Sequence, residues 1–361
     1  MSSSVHSPVA EAGKGMLRVV FYSAILFSVF QLVTSAFSPL SSTVVRALHV
    51  GFLLLLSFLL HPWQGGQGRT SLATKVIGFG ALLLSGYHWI YEADLVQRAG
   101  ELTQADMVVG VVTLVLVFEA ARRIMGLALP LICLGFLAYA LFGEYLPGEL
   151  AHRGYGLDQV VGQLAFGTEG IYGTPTYVSS SYIFLFILFG AFLEQAGMID
   201  LFTNFALGTV GHTKGGPAKV AVVSSGLMGT INGSGVANVV TTGQFTIPLM
   251  KRFGYSPAFA GGVEATASMG GQIMPPVMGA VAFIMAETIN VPYVDIVKAA
   301  VIPAILYFFT AFWMVHLEAG RKGLMGLPKD ECPNPWTAVR ERWYLLLPLA
   351  WLVALLFSGY T

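Results

Sequence analysis

The sequence predicts an all-α, polytopic membrane protein with about nine spanning helices, one re-entrant helical hairpin and one broken helix. Of its 361 residues, 55% are hydrophobic and only 11% are charged, whereas a soluble domain carries about 25% charged residues. Nine apolar stretches are long enough to cross a bilayer. They are residues 17–36, 44–60, 74–91, 105–124, 127–143, 177–196, 256–286, 296–317 and 343–360.

The first four spans predict a small four-helix membrane domain at residues 1–125, because their middles contain few polar groups. Lys14 and Arg18 precede the first span. Basic residues mark the cytoplasmic side, so the N-terminus is predicted to be cytoplasmic. The apolar run after Arg18 also resembles a signal peptide, but it leads into further spans, which favours an uncleaved helix. Arg69 and Lys75 place the second loop inside as well.

Residues 126–361 predict a second, larger domain, because glycine, proline and polar groups enter its membrane segments. After two spans, residues 197–216 are too short and too mixed in polarity to cross the bilayer. They predict an amphipathic helix at the inner face. A hairpin, an interrupted span and two plain spans follow.

Residues 218–250 predict a hairpin that enters the membrane from the cytoplasmic side and returns. Residues 220–250 hold no charge and would form one helix of roughly 45 Å, which is too long for a single crossing of a ~30 Å core. Two crossings would need about 40 residues. Lys219 and Lys251 flank the segment and place both of its ends inside. The predicted tip, residues 230–235, must line an enclosed, hydrated cavity, because lipid cannot pair exposed backbone groups.

Residues 256–286 predict a span that is broken in its middle. Pro275 and Pro276 follow two glycines, so the helix should open around residues 270–276. An opened helix offers carbonyl groups to cations and N–H groups to anions. Secondary transporters build their sites where such segments meet at mid-membrane. The alternative is that the glycines serve only close packing and the prolines only a kink.

Four acidic or basic residues inside predicted spans need separate interpretations. Glu264 is the deepest acid of the larger domain, and an intramembrane carboxylate is a functional candidate; the alternative is a group satisfied by nearby Ser and Thr residues. Glu119 precedes Arg123 by four positions, which predicts a structural pair. His88 lies beside aromatic residues and predicts an interfacial anchor. Glu194 falls at a span end and predicts no role.

Several function classes are excluded or disfavoured. The net charge is zero, so the electrostatic footprint of a nucleic-acid-binding protein is absent. The two cysteines, Cys133 and Cys332, predict neither a disulfide framework nor a metal cluster. No catalytic triad, HExxH or phosphate-binding loop pattern occurs in the sequence. The protein is therefore predicted not to be an enzyme.

Two segments, GTINGSGVANVVTTGQFTIPLMKRFGY and EATASMGGQIMPPVMGAVAFIMAE, resemble the membrane component of TRAP transporters, in particular the fused permeases of the TAXI type. In that family a small four-span domain precedes a large transport domain built from two inverted repeats. The resemblance implies a bacterial inner-membrane permease that takes up organic acids, of the dicarboxylate or keto-acid type, from a periplasmic substrate-binding protein. It also implies sodium coupling, with protons as the alternative, and an elevator mechanism.

The resemblance assigns substrate or ion binding to residues of the tip and of the broken helix. These residues are Asn232, Gly233, Ser234, Gly235, Asn238, Thr241, Thr242, Thr266, Ser268, Gly270, Gly271 and Gln272. Within this set, the implied sodium ligands are Asn232, Ser234, Asn238 and Gly271. Glu264 is the candidate coupling acid, and no organic cofactor is implied.

One departure from the family concerns the second inverted repeat. No second Gly/Ser/Thr-rich interrupted segment occurs before Thr361, which predicts the N-terminal portion of a longer permease or a partner chain that carries the other repeat. The alternative reading is a non-transporting membrane scaffold, a partner-binding subunit or a truncated, inactive permease. Substrate identity and the choice between sodium and protons stay open at this point.

Overall fold

The computed structural model describes residues 14–61, 72–98 and 100–358, and this part of the chain contains helices and loops but no strand. The all-α prediction is thus confirmed for it. Arg69 and the end of the predicted span 343–360 lie outside the described residues, as does the side chain of Lys14. The chain divides into two compact units, Met1–Ser181 and Tyr182–Thr361. The domain boundary predicted after residue 125 stays a prediction.

The first unit is built from nine α-helices within its described residues. They are α1 (Lys14–Phe37), α2 (Ser42–Leu60), α3 (Leu72–Ser85), α4 (Tyr87–Ile90), α5 (Glu92–Gln97), α6 (Gln104–Met125), α7 (Ala128–Phe142), α8 (Leu157–Ala165) and α9 (Thr174–Val178). A π-helical turn, Ser179–Ile183, follows α9. Helix α6 begins with a capping box, because Thr103 and Asp106 each accept a hydrogen bond from the other's backbone N–H.

Two predictions about single residues of the first unit have different outcomes. Glu119 pairs with Arg123 as predicted, at 2.7 Å, and also with Arg122. The prediction that His88 is an interfacial anchor is wrong. Its side chain is buried, its ring stacks on Phe166, and its Nε2 atom lies 3.2 Å from the carbonyl oxygen of Ala165. The end of α8 covers it, and no local sequence pattern reports that contact.

The second unit also contains nine α-helices within its described residues. They are α10 (Phe184–Gln195), α11 (Met198–Val210), α12 (Gly216–Asn232), α13 (Gly235–Arg252), α14 (Pro257–Gly270), α15 (Ala280–Ile289), α16 (Tyr293–Lys322), α17 (Pro335–Arg342) and α18 (Leu346–Phe357). Helix α12 is the centre of the unit and packs against α11, α13, α14 and α16. Its small residues, such as Ala218 and Ala221, are fully buried and permit this close packing.

The predicted hairpin is present as two helices, α12 and α13, joined by only two residues. Gly233 adopts a left-handed conformation with φ of +56°, which glycine reaches without strain. Ser234 then caps α13, because its Oγ accepts a hydrogen bond from the N–H of Ala237 at 3.3 Å. The pair extends from residue 216 to 252, two residues beyond the prediction at each end. That it enters the bilayer without crossing it stays a prediction.

The predicted broken helix is also present. Helix α14 ends at Gly270, a 3-10 turn follows at Gly271–Ile273, and α15 starts only at Ala280. The break therefore begins where the sequence predicts it but extends beyond Pro276, because the chain remains non-helical through Gly279. We call residues 271–279 the broken segment.

Five helical stretches among the described residues are long and apolar enough to cross a membrane. They are Met16–Phe37, Ser42–Leu60, Ala128–Tyr145, Thr174–Gln195 and Tyr293–Lys322. The other four predicted spans coincide with helices that are shorter, interrupted or more charged. The multi-pass class is thus supported, and the count of nine spans stays a prediction.

Candidate functional site

The hairpin tip packs against the broken segment, backbone against backbone. A Cβ atom added to Gly233 would lie 1.7 Å from the carbonyl oxygen of Met278, and one added to Gly229 would lie 2.4 Å from the Cα atom of Gly271. No side chain fits within such distances, so both contacts depend on glycine. The two segments that the sequence singled out therefore lie together.

Four helix ends meet around this contact. Helices α12 and α14 end at Asn232 and Gly270, while α13 and α15 begin at Gly235 and Ala280. The last carbonyl groups and the first N–H groups of a helix lack partners within it. C-terminal ends favour cations and N-terminal ends favour anions. The arrangement can thus bind a cation and an anion side by side.

The polar side chains of the tip mainly hold its backbone. Asn232 Nδ2 donates a hydrogen bond to Glu194 Oε1 at 3.1 Å, and Asn232 Oδ1 accepts one from the N–H of Ser234 at 3.3 Å. Glu194 belongs to α10, and its position at a span end predicts no role for it. Its contact with the tip comes from the packing of α10 on α12, which the local sequence does not reveal.

Glu264 is fully buried, and its carboxylate accepts hydrogen bonds from four hydroxyl groups. The donors are Ser225 at 3.2 Å, Ser268 at 3.0 Å, Thr242 and Thr246. They belong to α12, α13 and α14, so this single carboxylate connects three helices. The sequence predicts both features of Glu264: that it is the deepest acid of the larger domain, and that nearby Ser and Thr residues can satisfy its carboxylate.

Glu264 forms no ion pair with any described residue. Two charged groups on the helices around it have other partners: Lys219 donates a hydrogen bond to Thr213 Oγ1 at 3.2 Å, and Glu318 binds Lys322 at 3.0 Å. An ionised carboxylate that is buried without a cation is costly. Its charge has to be offset by the hydroxyl groups, by a proton or by a bound cation.

Asn238, Thr242 and Thr246 lie on one face of α13 at four-residue spacing. Asn238 Nδ2 donates to the carbonyl oxygen of Ser225 at 2.8 Å, which joins the two helices of the hairpin. Thr242 Oγ1 lies 2.8 Å from the carbonyl oxygen of Asn238 and also contacts Glu264. The sequence does not assign Ser225 and Thr246 to the site. The signal for Ser225 is a serine within an apolar helix, and the signal for Thr246 is its position four residues after Thr242.

The remaining predicted residues lie at the edge of the site. Thr241 Oγ1 donates to carbonyl oxygens of its own helix, and the side chain of Thr266 is exposed. Gly270 faces the ring of Tyr307, which would lie 2.4 Å from an added Cβ atom. Gln272 is half-buried, and its Nε2 atom would lie 3.2 Å from a Cβ atom on Gly235.

The chemistry available here is that of oxygen ligands and helix ends. The described residues contain no group of three or more His, Cys, Asp or Glu side chains that could hold a metal ion. A hard cation instead takes carbonyl, amide and hydroxyl oxygens, and the tip, the helix C-termini and the surroundings of Glu264 supply all three.

Comparison with known proteins gives one family and several relatives. Residues 112–361 match the family model of the tripartite ATP-independent periplasmic transporter, DctM component. The chain is 29% identical over 174 residues to the C4-dicarboxylate TRAP transporter large permease protein DctM of Pseudomonas aeruginosa, a match that covers 48% of this chain and 40% of that protein.

Two further relatives give similar values. Identity is 28% over 174 residues with the sialic acid TRAP transporter large permease protein SiaM of Vibrio cholerae, covering 48% of this chain and 40% of that protein. Identity is 26% over 186 residues with the C4-dicarboxylate TRAP transporter large permease protein DctM of Rhodobacter capsulatus, and this match covers 48% of this chain and 42% of that protein. The chain thus spans about two fifths of the length of the curated relatives it matches.

Proposed function

We propose, since this chain belongs to the DctM family of tripartite ATP-independent periplasmic transporters, that it is a membrane component of a secondary active uptake system for organic acids. The family consists of transporter components and not of enzymes, so the prediction of a non-enzyme is confirmed. The resemblance seen in the sequence is likewise confirmed at the level of the family. That the chain is of the fused TAXI type is part of the proposal.

The observation that carries the proposal is the meeting of four helix ends where Gly233 packs against Met278. The N-termini of α13 and α15 favour a carboxylate. The relatives are named for C4-dicarboxylates and for sialic acid, which are carboxylates of different size. We therefore assign this chain an organic acid of the dicarboxylate or keto-acid type, delivered by a periplasmic substrate-binding protein.

The coupling ion in this proposal is sodium, bound beside the acid. The C-termini of α12 and α14 favour a cation, and Asn232, Ser234, Asn238 and Gly271 provide oxygen ligands. A proton on Glu264 is the alternative, supported by the lack of a cationic partner among the described residues. Coupling then arises because ion and acid stabilise each other's binding.

The proposed setting is the bacterial inner membrane, with the N-terminus in the cytoplasm. The hairpin-bearing part would carry the site across the bilayer as an elevator. A second inverted repeat, on the same polypeptide or on a partner chain, would complete the substrate site.

The test is uptake of labelled succinate and of sialic acid into proteoliposomes, with the chain, its binding protein and any second-repeat chain present. We expect Asn232→Leu to abolish sodium-driven uptake, because it removes the tip's bonds to Glu194 and Ser234. Asn204→Leu is the matched control, since Asn204 is exposed on α11. Uptake that survives Asn232→Leu would contradict the assignment of the tip.

The same assay separates the alternatives. Proton-driven uptake that is lost in Glu264→Gln but kept in Glu287→Gln, whose side chain is exposed, would assign coupling to Glu264 instead of sodium. No uptake under either gradient, with the binding protein still bound to the membrane, would favour the non-transporting scaffold.

A further inference from the structure

Helix α16 carries two tyrosines whose hydroxyl groups bind carbonyl oxygens of two consecutive elements, α14 and the broken segment. Tyr293 Oη donates to the carbonyl oxygens of Pro276, at 3.1 Å, and Val277. Tyr307 Oη donates to the carbonyl oxygen of Thr266 at 2.7 Å. Thr266 lies in the last turns of α14, and the other two residues lie near the end of the broken segment. One continuous helix thus contacts both the last turns of α14 and the broken segment.

The carbonyl groups bound by Tyr293 have few other partners. Pro275 and Pro276 lack N–H groups, and the segment around them is not helical, so the helical pattern of backbone bonds is lost there. Buried carbonyl groups need a partner. The tyrosine hydroxyl supplies it from outside the segment, next to Met278, whose carbonyl oxygen faces Gly233 of the tip.

The ring of each tyrosine is fixed by its own packing. Tyr293 stacks on Phe283 of α15, with ring centroids 4.1 Å apart and an angle of 3° between the planes. Tyr307 lies against Gly270, where an added Cβ atom would come within 2.4 Å of its ring. Since the rings are held, the hydroxyl groups hold the backbone atoms that they bind.

We propose that Tyr293 and Tyr307 are positioning residues that fix the broken segment against the hairpin tip. Neither belongs to the residues that the proposed function assigns to the acid or the ion. Tyr293 acts through carbonyl groups within the broken segment, and Tyr307 acts through a carbonyl group of α14, the helix that precedes it. Helix α16 connects the two. That this positioning serves transport rests on the proposed function. The positioning itself can be measured without transport.

The experiment is hydrogen–deuterium exchange of the purified full chain, with mass spectrometry of peptides that cover residues 271–279. The amides of Met274, Met278 and Gly279 are bonded within this segment, so their exchange reports its opening. Tyr293→Phe removes only the hydroxyl group and keeps the ring on Phe283. We expect exchange there to become about three- to tenfold faster, the effect of one lost hydrogen bond.

Tyr139→Phe is the matched control, because Tyr139 Oη donates to a carbonyl oxygen as well, that of Leu150, at 3.0 Å. It should leave exchange at residues 271–279 unchanged, while both variants show similar thermal midpoints. Tyr307→Phe should accelerate exchange at the end of α14. Unchanged exchange in Tyr293→Phe, or an acceleration spread evenly over all helices, would overturn the positioning role.

A sodium arm separates this proposal from the proposed function. Sodium chloride is compared with choline chloride at equal ionic strength. In the wild-type chain we expect sodium to slow exchange at residues 271–279, and Tyr293→Phe should need more sodium for the same protection. If sodium protects nothing in the wild-type chain, the sodium coupling is overturned, while the comparison without sodium still decides the role of Tyr293.

Discussion

At the scale of single residues, the site depends on glycines that allow backbone contact and on one carboxylate that joins three helices. The sequence indicated Gly233 and Glu264, because a glycine in a polar tip and an acid deep in a span are locally unusual. It did not indicate Glu194 or Ser225, whose roles come from packing between helices distant in the sequence. Which side chains meet across such distances depends on the packing of whole helices.

Gly233 gives the sharpest residue-scale prediction. Gly233→Ala places a Cβ atom where the Met278 carbonyl oxygen lies and requires a left-handed conformation from alanine. The conformation alone costs about 1–2 kcal/mol, and the carbonyl group has to move. We expect uptake to be lost and the thermal midpoint to fall.

Gly261→Ala is the control for that substitution. Gly261 lies within α14, and an added Cβ atom meets nothing within 4 Å. Alanine should there be neutral or stabilise the helix by about 0.5–1 kcal/mol. Both effects are read from thermal unfolding and uptake of the same preparations. Full uptake in Gly233→Ala would mean that the tip does not need its contact with Met278.

At the scale of elements, the sequence predicted the hairpin and the broken helix to within a few residues. The lack of charge over residues 220–250 predicts the hairpin, and the paired prolines predict the break. Each pattern lies within the element that it predicts. The break is longer than the sequence predicts, because residues 277–279 are bonded outside any helix. The Val277 carbonyl group accepts from Tyr293, and the N–H groups of Met278 and Gly279 donate to Met274 and Gln272. The bounds of α12 and α13 determine where probes of the membrane topology can be placed.

The topology prediction is that both ends of the hairpin face the cytoplasm. Lys219 is buried and unsuited to labelling, so the probes are Lys214→Cys and Lys251→Cys, at exposed positions, in a chain without its two native cysteines. Both should react with a membrane-impermeant maleimide only from the cytoplasmic side. Reaction of the two from opposite sides would contradict the paired topology.

A third probe distinguishes a re-entrant hairpin from two full crossings. Helices α12 and α13 have 17 and 18 residues, roughly 26 Å each, which is close to the ~30 Å core. Length alone therefore does not decide. The probe is Val236→Cys, 71% exposed next to the tip. A re-entrant tip lies in the substrate site, so any labelling from the outer side should be blocked by succinate with sodium. Outer labelling that succinate with sodium leaves unchanged would mean that the tip crosses the bilayer.

At the scale of the whole molecule, the proposed coupling makes a thermodynamic prediction. If sodium raises the affinity for the acid by some factor, the acid must raise the affinity for sodium by the same factor. Calorimetric titration of the assembled permease with succinate, with and without sodium, measures one factor, and titration with sodium measures the other. We expect both to be about tenfold, within the usual range for coupled sites.

The neutral net charge of the chain makes this measurement interpretable. A strongly charged protein would change its affinity for an anion with any salt, through screening. Here that general effect should be small, so choline chloride at the same ionic strength should leave the affinity for succinate nearly unchanged. Equal effects of sodium and choline would remove sodium as the coupling ion. Unequal reciprocal factors would mean that the two ligands also bind elsewhere, and the contact between tip and broken segment would then not be the shared site.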